Sequence, residues 1–363
     1  MEDTKFWVAL ARHEKIGSRT IMKLFKNFKV LARVWESKED KLALAGLDAA
    51  QIKAVLEVVS KVDPDSEMAR LEKHKIKVLV YPEENYPKML KEIPDPPALI
   101  FIRGQLDPHD EIALAVVGSR KATSYGERVI EELVGPLAQS GLTIVSGLAL
   151  GIDALAHRAT LDAHGRTIAV LGCGLDQVYP TSNIRLADQI LASGGAIISE
   201  FPLGRAAMKF NFPIRNRIIA GLSLGTLVIE AAIESGSLIT AQAALEYNRE
   251  VFAIPGPINS EMSAGPNHLI QIGAKLVTSA DDILADLNLE NTINAAEARQ
   301  IIPDTPEERV VLEALTEPVD FDTIVRLSGL TSSLVNSVLV MLEIKGMVKN
   351  LGGAMYVRRG KLR

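Results

Sequence analysis

Apolar and polar positions divide this chain into stretches with different periods. From Phe6 to Ser60 apolar residues recur at helix spacing, interrupted at Ile16-Gly17-Ser18 and at Ala45-Gly46-Leu47-Asp48. From about residue 75 the pattern changes to short continuous apolar runs at 112–117, 142–146, 167–171, 196–199, 226–229, 251–254 and 275–277, with helix-period segments between most of them. Strands without a polar face, separated by helices, predict a mostly parallel sheet covered on both sides. Shorter runs at 77–80 and 98–102 predict added edge strands, and Pro82, Pro87, Pro94, Pro96 and Pro97 mark irregular chain around them.

Residues 288–306 are polar and predict a linker. Beyond it, helix periods at 306–315, 321–327 and 332–345 precede two short strands, 347–349 and 355–358, around Gly352-Gly353. Three helices and a wing define a winged-helix module. Its third helix carries little positive charge beyond Lys345, so the sequence leaves DNA reading and partner contact both open for it. The expected organisation is therefore a helical domain over 1–74, a doubly wound Rossmann-like α/β domain over 75–288, a linker over 289–305 and a winged helix over 306–363. The apolar-Gly-apolar turns give the first domain a SAM or helix-hairpin-helix-like character. Such turns serve as plain connections or as phosphate contacts.

Composition narrows the class. At 363 residues, 47% hydrophobic and 23% charged, the chain is long enough for several domains and a buried core. The single cysteine, Cys173, excludes an intrachain disulfide and a multi-cysteine zinc site and fits a reducing compartment. Glu2 and Asp3 precede no long apolar run, and no stretch reaches bilayer length, so a cytoplasmic protein without a membrane partner is expected. A formal net charge of −5 argues against coating nucleic acid by bulk charge. Against that background, residues 201–229 hold Arg205, Lys209, Arg215 and Arg217 and no Asp or Glu, which points to a small anion site.

In an open parallel sheet ligands lie beyond the carboxyl ends of the strands, so the loops there are the candidates. The first reads Gly118-Ser119-Arg120-Lys121, followed by Ser124 and Glu127 at capping-box spacing: a small turn, two cations and a helix N-terminus suited to phosphate. The second offers Ser146 and Gly147, with Asp153 and His157 one helical turn apart and expected to support the loop by hydrogen bonds. The third, residues 172–180, contains G-x-G without the final glycine of a dinucleotide fingerprint, and no G-x-x-x-x-G-K-[ST] occurs, so no nucleotide cofactor is expected. In that loop Tyr179 is either a packing ring or a stacking platform. Ser237 is a candidate helix cap with Thr240 in the next turn, and the segment 212–222 sets Arg215-Asn216-Arg217 before an apolar helix.

Taken together, Gly118-Ser119-Arg120, the segment from Ser146-Gly147 to His157, residues 172–183, Ser199-Glu200-Phe201-Pro202, Phe212-Pro213 to Ser223, Ser235 to Thr240 and Pro255-Gly256 resemble the DNA-processing protein A family (DprA, also called Smf). The resemblance implies a non-catalytic single-stranded DNA binder that shields incoming strands and loads the RecA recombinase during natural transformation, acting as a homodimer through its Rossmann-like domain. It implies a DNA pocket of Arg120, Lys121, Ser146, Gly147, Lys209, Arg215, Asn216 and Arg217, to which the loop reading adds Gly118, Ser119, Ser237 and Thr240 as expected DNA-binding residues, with no metal or cofactor. The chain departs from the family pattern at Asn248, where glycine is usual, and over 205–211, which lacks the usual proline-rich spacer. Two rival readings remain. Residues 225–230 resemble the G-T-x-x-E part of phosphoribohydrolases that cleave nucleotide N-glycosidic bonds, with Glu230 as acid or nucleophile, although Leu222-Ser223-Leu224 replaces their Pro-Gly-Gly. The other rival is a nucleotide-sensing regulator with a winged-helix output.

Overall fold

The computed structural model describes residues 3–289, 303, 305–315, 318–344 and 347–358. Two compact units emerge, Met1–Ile283 and Leu284–Arg363. The first opens with helices α1 (Thr4–Ala11), α2 (Ser18–Phe28), α3 (Glu39–Leu44), α4 (Ala49–Lys61) and α5 (Pro64–Lys73). Local chemistry sets their starts: Asp48 and Gln51 form a reciprocal capping box at α4, and Asp63 caps α5 with Pro64 in its first turn. Gly46 takes φ +80° in the turn before α4, a conformation open to glycine at little cost. These helices do not bury their apolar faces among themselves alone. Trp7, Leu24 and Val55 share one continuous core with Phe101, Leu171 and Leu203 of the sheet region.

The sheet has nine strands in the order β1-β2-β6-β5-β4-β3-β7-β8-β9. β1 (Lys77–Val80), β2 (Leu99–Gly104) and β6 (Ala196–Ser199) pair antiparallel to one another in sequence along one edge. β3 (Ala113–Val117), β4 (Thr143–Ser146), β5 (Thr167–Leu171), β6, β7 (Gly225–Val228), β8 (Glu250–Ala253) and β9 (Lys275–Leu276) pair in parallel. Each central strand is buried along its whole length, which is why these strands read as unbroken apolar runs. Alternation shows in how the residues divide: Leu99, Phe101, Ala169 and Leu171 face one core, and Ile100, Ile102, Ile168 and Val170 face the other.

Helix α6 (Lys88–Lys91) joins β1 to β2; α7 (Ser124–Gln139), α8 (Ile152–Asp162) and α9 (Ile184–Ala192) carry the chain from β3 to β6. Helix α10 (Asn211–Gly221) then crosses back, so that β7 lies on the other side of β3; α11 (Gly236–Glu246) and α12 (Glu261–Gln271) follow, and the unit ends within α13 (Ala280–Asp286). The reversal of strand order between β3 and β7 opens a crevice at their carboxyl ends. Asn248 takes φ +53° in the turn between α11 and β8, the left-handed conformation that asparagine tolerates.

The second unit packs helices Pro306–Ala314, Phe321–Ser328 and Ser332–Ile344 around Val311, Leu312, Ile324, Val335, Leu339 and Leu342. Thr305 and Asp320 cap the first two helices, and Gly329 closes the second at φ +68°. The expected wing, β11 (Val348–Gly352) with β12 (Met355–Arg358), gains a third strand, β10 (Val319–Asp320), paired to β12. Two residues are too short to show an alternating period, so β10 had no signature in the sequence. Residues 332–344 contain no Lys or Arg, and Leu334, Val340 and Met341 on that helix are exposed. Residues 290–302 and 304 of the expected linker, and Lys345, lie outside the described residues. No single helix among the described residues is long and apolar enough to cross a membrane.

Candidate nucleic-acid interface

Three loops and the start of one helix converge at the crevice. A cleft of about 200 Å³ is lined by Gly118 and Arg120 after β3, Ala149 and Asp153 after β4, Ser235, Gly236, Ser237 and Thr240 after β7, and Phe212, Arg215 and Asn216 of α10. A smaller adjoining cleft adds Gly147, Gly172 and Tyr179 beside Arg120, Phe212 and Arg215. The backbone approaches closely here. A Cβ on Gly118 would lie 2.6 Å from the Ile152 side chain and 2.8 Å from the Glu230 carbonyl, and one on Gly147 would lie 2.5 Å from Arg215 Nη1 and 2.6 Å from Cζ. Glycine at 118 lets the first loop pack on Ile152 and the Glu230 carbonyl, and glycine at 147 keeps the second loop against the Arg215 guanidinium.

Arg215 is a buried strut whose guanidinium ties two strands' ends to α10. The residue is 4% exposed; Nη1 donates to the Gly147 carbonyl at 2.6 Å and to the Val170 carbonyl, and Nε donates to Asn216 Oδ1 at 3.0 Å. Nη2 makes no protein hydrogen bond among the described residues, and Arg215 lines the cleft. Burial pulls the Arg215 guanidinium below its usual range, and Asp153 opposes that shift. For Asp153 the signs reverse: burial raises its carboxyl, while Arg215 and the Ala149 and Gly147 amides, at 3.4 and 3.2 Å, lower it. Asp153 thus organises the second loop and compensates Arg215 without touching the cleft's second cation, Arg120, which is exposed.

Phe212 holds the two cations around one ring. Arg120 Cζ stands 5.1 Å and Arg215 Cζ 5.9 Å from its centroid, within cation–π range, and the Tyr179 ring lies 5.8 Å away. An aromatic face, flanking guanidinium groups and the N-terminal turn of α11 present π, charge and N–H donors in one place. The sequence reading passed over Phe212 as a site residue. Its only signal was an aromatic three positions before Arg215, the start of the Arg215-Asn216-Arg217 run.

Arg217 does not join Arg215. Two residues along a helix turn a side chain about 200° away, and Arg217 faces the opposite side of α10, bound to both oxygens of Glu200 at 2.5 and 2.6 Å. Arg205 lies 3.8 Å from Glu14. The run without acids is therefore partly neutralised by acids from outside it. Lys121 and Lys209 are exposed and carry no ion pair among the described residues, and neither lines the cleft. The Ser146 hydroxyl is spent on the Val116 carbonyl at 2.6 Å, which ties the ends of β3 and β4, and the Ser119 hydroxyl closes a turn with Lys121. These two hydroxyls shape the loops and stay off the surface of the cleft.

The expected helix caps shift by one or two residues. Thr123 accepts from the Tyr125 and Gly126 amides at the start of α7 in place of Ser124, and Ser235 caps α11 in place of Ser237. His157 is buried. Thr167 Oγ1 has one proton, which it donates to the Ile144 carbonyl at 2.7 Å, so it accepts from His157 Nδ1 at 2.7 Å, leaving Nε2 without a partner. Burial and then Arg215 lower the imidazole to about 3, so it is neutral at ordinary pH. His164 sits past the end of α8 at φ +54°. Cys173 is buried, its thiol pushed up to about 11 chiefly by burial, so it is not a reactive thiolate.

Glu230 is 2% exposed and does not line the cleft. Its carboxylate accepts from the Thr123 amide at 2.9 Å and the Thr123 hydroxyl at 2.5 Å, fixing the turn that presents Arg120. The group assigned to acid or nucleophile in the hydrolase reading is engaged as a support beneath the site. Among the described residues no cluster of His, Cys, Asp or Glu has the makings of a metal site.

The fold defines a Rossmann-like protein with a winged-helix module, and its crevice gathers cationic and aromatic side chains. Comparison with known proteins gives the family. Residues 77–288 match the model of "DNA recombination-mediator protein A" and residues 295–354 that of the "DprA winged helix domain". The chain is 38% identical over 372 residues to Protein Smf of Escherichia coli, spanning 99% of this chain and 96% of that protein. It is 50% identical over 204 residues to the DNA processing protein DprA of Streptococcus pneumoniae, 56% of this chain and 72% of that one. The solved S. pneumoniae DprA structure matches with a TM-score of 0.68 at 40% identity, over 78% of this chain and 97% of that chain. A Helicobacter pylori DNA processing protein A structure, described for its single-stranded DNA binding mode, matches with a TM-score of 0.53 at 31% identity, over 59% of this chain and 96% of that chain. The chain belongs to the DNA recombination-mediator protein A family.

Proposed function

We propose that this chain binds single-stranded DNA in the cleft at the β3–β7 switch point and serves as a recombination mediator. In this reading it shields incoming strands and loads the RecA recombinase during natural transformation, as a cytoplasmic homodimer and without turnover. The observation that carries the reading is the Phe212 ring flanked by Arg120 and Arg215 within a cleft of about 200 Å³. A stacked duplex hides the faces of its bases, whereas an unpaired base offers one to Phe212 while its phosphates meet Arg120 and the α11 N-terminus. The single-stranded DNA named for the H. pylori relative supports the same ligand. Glu230, held on Thr123 below the cleft, supports binding without hydrolysis. Exposed Ile272 and Leu276 beside the sheet edge at β9 suit the homodimer.

The test is a mobility-shift titration of matched single- and double-stranded oligonucleotides across ionic strengths. Single strands bind more tightly, with little preference for sequence and with log affinity falling linearly in log salt. Equal affinity for duplex, or displacement of oligonucleotide by equimolar mononucleotide, would overturn the reading; the latter restores the nucleotide sensor. Loading is read separately, as faster RecA filament formation on protein-coated strands.

A further inference from the structure

The helical periodicity of α10 and its N-cap residue Phe210 separates their side chains into two sets. Phe212, Arg215, Asn216 and Ile219, spaced i, i+3, i+4 and i+7, line the first cleft. Phe210, Ile214 and Arg217, also spaced i, i+4 and i+7, line a different cleft of about 390 Å³ between the start of α2 and the chain after β6. We propose that this second cleft is a nucleobase subsite with Phe210 as its platform, taking the base next along the strand from the one held at Phe212. The proposal rests on the single-stranded DNA reading and extends it.

The occupant follows from exposure, charge and continuity. Phe210 is 60% exposed, Met208 48% and Ile214 42%, an apolar cluster within seven residues of a soluble surface. The cations around the cleft are matched by acids: Arg19 with Asp95 at 3.1 Å, Arg205 with Glu14 at 3.8 Å and Arg217 with Glu200 at 2.5 Å. A cleft with cancelled charge has no phosphate preference, yet its ring and its paired polar groups suit a flat, uncharged base with hydrogen-bonding edges. Arg217, which lines the cleft, has a buried Nη1 without an acceptor, a donor that a base carbonyl would satisfy after a small side-chain shift. Phe210 and Phe212 flank Asn211, the first residue of α10, so a strand leaving the first cleft reaches the second by passing over the helix start. A protein occupant would instead leave DNA affinity independent of Phe210.

The experiment is fluorescence anisotropy with labelled oligo-dT of increasing length, using wild type, Phe210→Ala, Phe210→Tyr and Arg120→Ala. In wild type, affinity rises in a step once the strand is long enough to enter the second cleft. Phe210→Ala binds the shortest strands as wild type does and lacks the step, weaker by about tenfold on long strands, as expected for loss of one base–aromatic stack; Phe210→Tyr keeps it. Arg120→Ala weakens all lengths alike. A full step in Phe210→Ala overturns the subsite and leaves the first cleft intact. Failure of the wild type to bind, or an Arg120→Ala protein indistinguishable from it, brings down the parent reading and the subsite together.

Discussion

Replacing Arg215 by alanine tests whether a site arginine can also hold the fold together. The guanidinium is buried and donates to the carbonyls of Gly147 and Val170 and to Asn216 Oδ1. Its removal leaves buried acceptors unpaired, each worth about 1–3 kcal/mol, and deprives Asp153 of the charge that offsets its burial. Summed as an uncompensated buried group, the loss is about 3–5 kcal/mol, which lowers the melting temperature by on the order of 10 °C for a unit of this size. Arg215→Lys keeps a charge near Asp153 but not the planar fork, so its melting temperature falls between wild type and Arg215→Ala. Thermal unfolding of the three proteins, without and with saturating oligo-dT, measures this directly, and both variants also bind oligo-dT several-fold more weakly. An Arg215→Ala protein that melts with wild type and loses only affinity would refute the strut, because such an arginine must point to solvent.

Arg120 gives the contrasting case: it is exposed, so Arg120→Ala leaves the unfolding free energy within about 0.5 kcal/mol of wild type and makes the log–log salt slope for oligo-dT shallower by about 0.7. A fourfold rise in salt then shrinks the wild-type advantage by a factor of about 2.6, and parallel slopes would take Arg120 off the phosphates. Glu230→Gln weakens the Thr123 contacts and costs about 1–2 kcal/mol in urea unfolding, while neither it nor wild type releases base from nucleoside monophosphates; release by wild type alone would restore the hydrolase. His157 makes stability depend on acid. Its folded pKa, about 3, lies below the unfolded value, so the unfolded chain binds the extra proton and this contribution, complete above about pH 6.5, is lost as pH falls toward 3. The loss reaches about 2 kcal/mol by pH 5 and is absent in His157→Gln; urea midpoints that fall equally in both would show that the imidazole titrates normally.

The doubly wound sheet was legible because buried parallel strands cannot carry a polar face, and continuous runs such as 112–117 and 167–171 announced them. Strands β1 and β2 were legible too, from the short apolar runs 77–80 and 98–102, but of the two only β1 lies at the sheet edge, because β2 pairs with both β1 and β6. What the one-dimensional pattern could not carry was partnership across the chain. The boundary expected at residue 74 has no signature in the core, since Trp7 and Leu24 pack with Phe101 and Leu203. Ser146 looked like an anion donor until the Val116 carbonyl, thirty residues away, was found to hold its hydroxyl. Caps at Thr123 and Ser235 escaped because neighbouring hydroxyls satisfy the same sequence rule, and only backbone geometry selects among them.

The basic run over 201–229 shows why local charge density overstates a site. A contiguous segment is counted as one object in sequence, but a helix sends consecutive cations to different environments at 100° per residue. Arg215 and Arg217, two apart, meet a carbonyl cage and a carboxylate respectively. The positive character of the cleft comes instead from one cation of the run, Arg215, and one from a loop ninety-five positions earlier, Arg120, brought together because β3 and the α10 crossover meet at the strand-order reversal. Acids elsewhere in the chain then sharpen the field: Glu200 and Glu14 engage Arg217 and Arg205 outside the cleft, and Asp153 sits buried behind Arg215. An acidic protein can therefore present a confined cationic surface, since pairing cancels most positive charge and topology concentrates what is left.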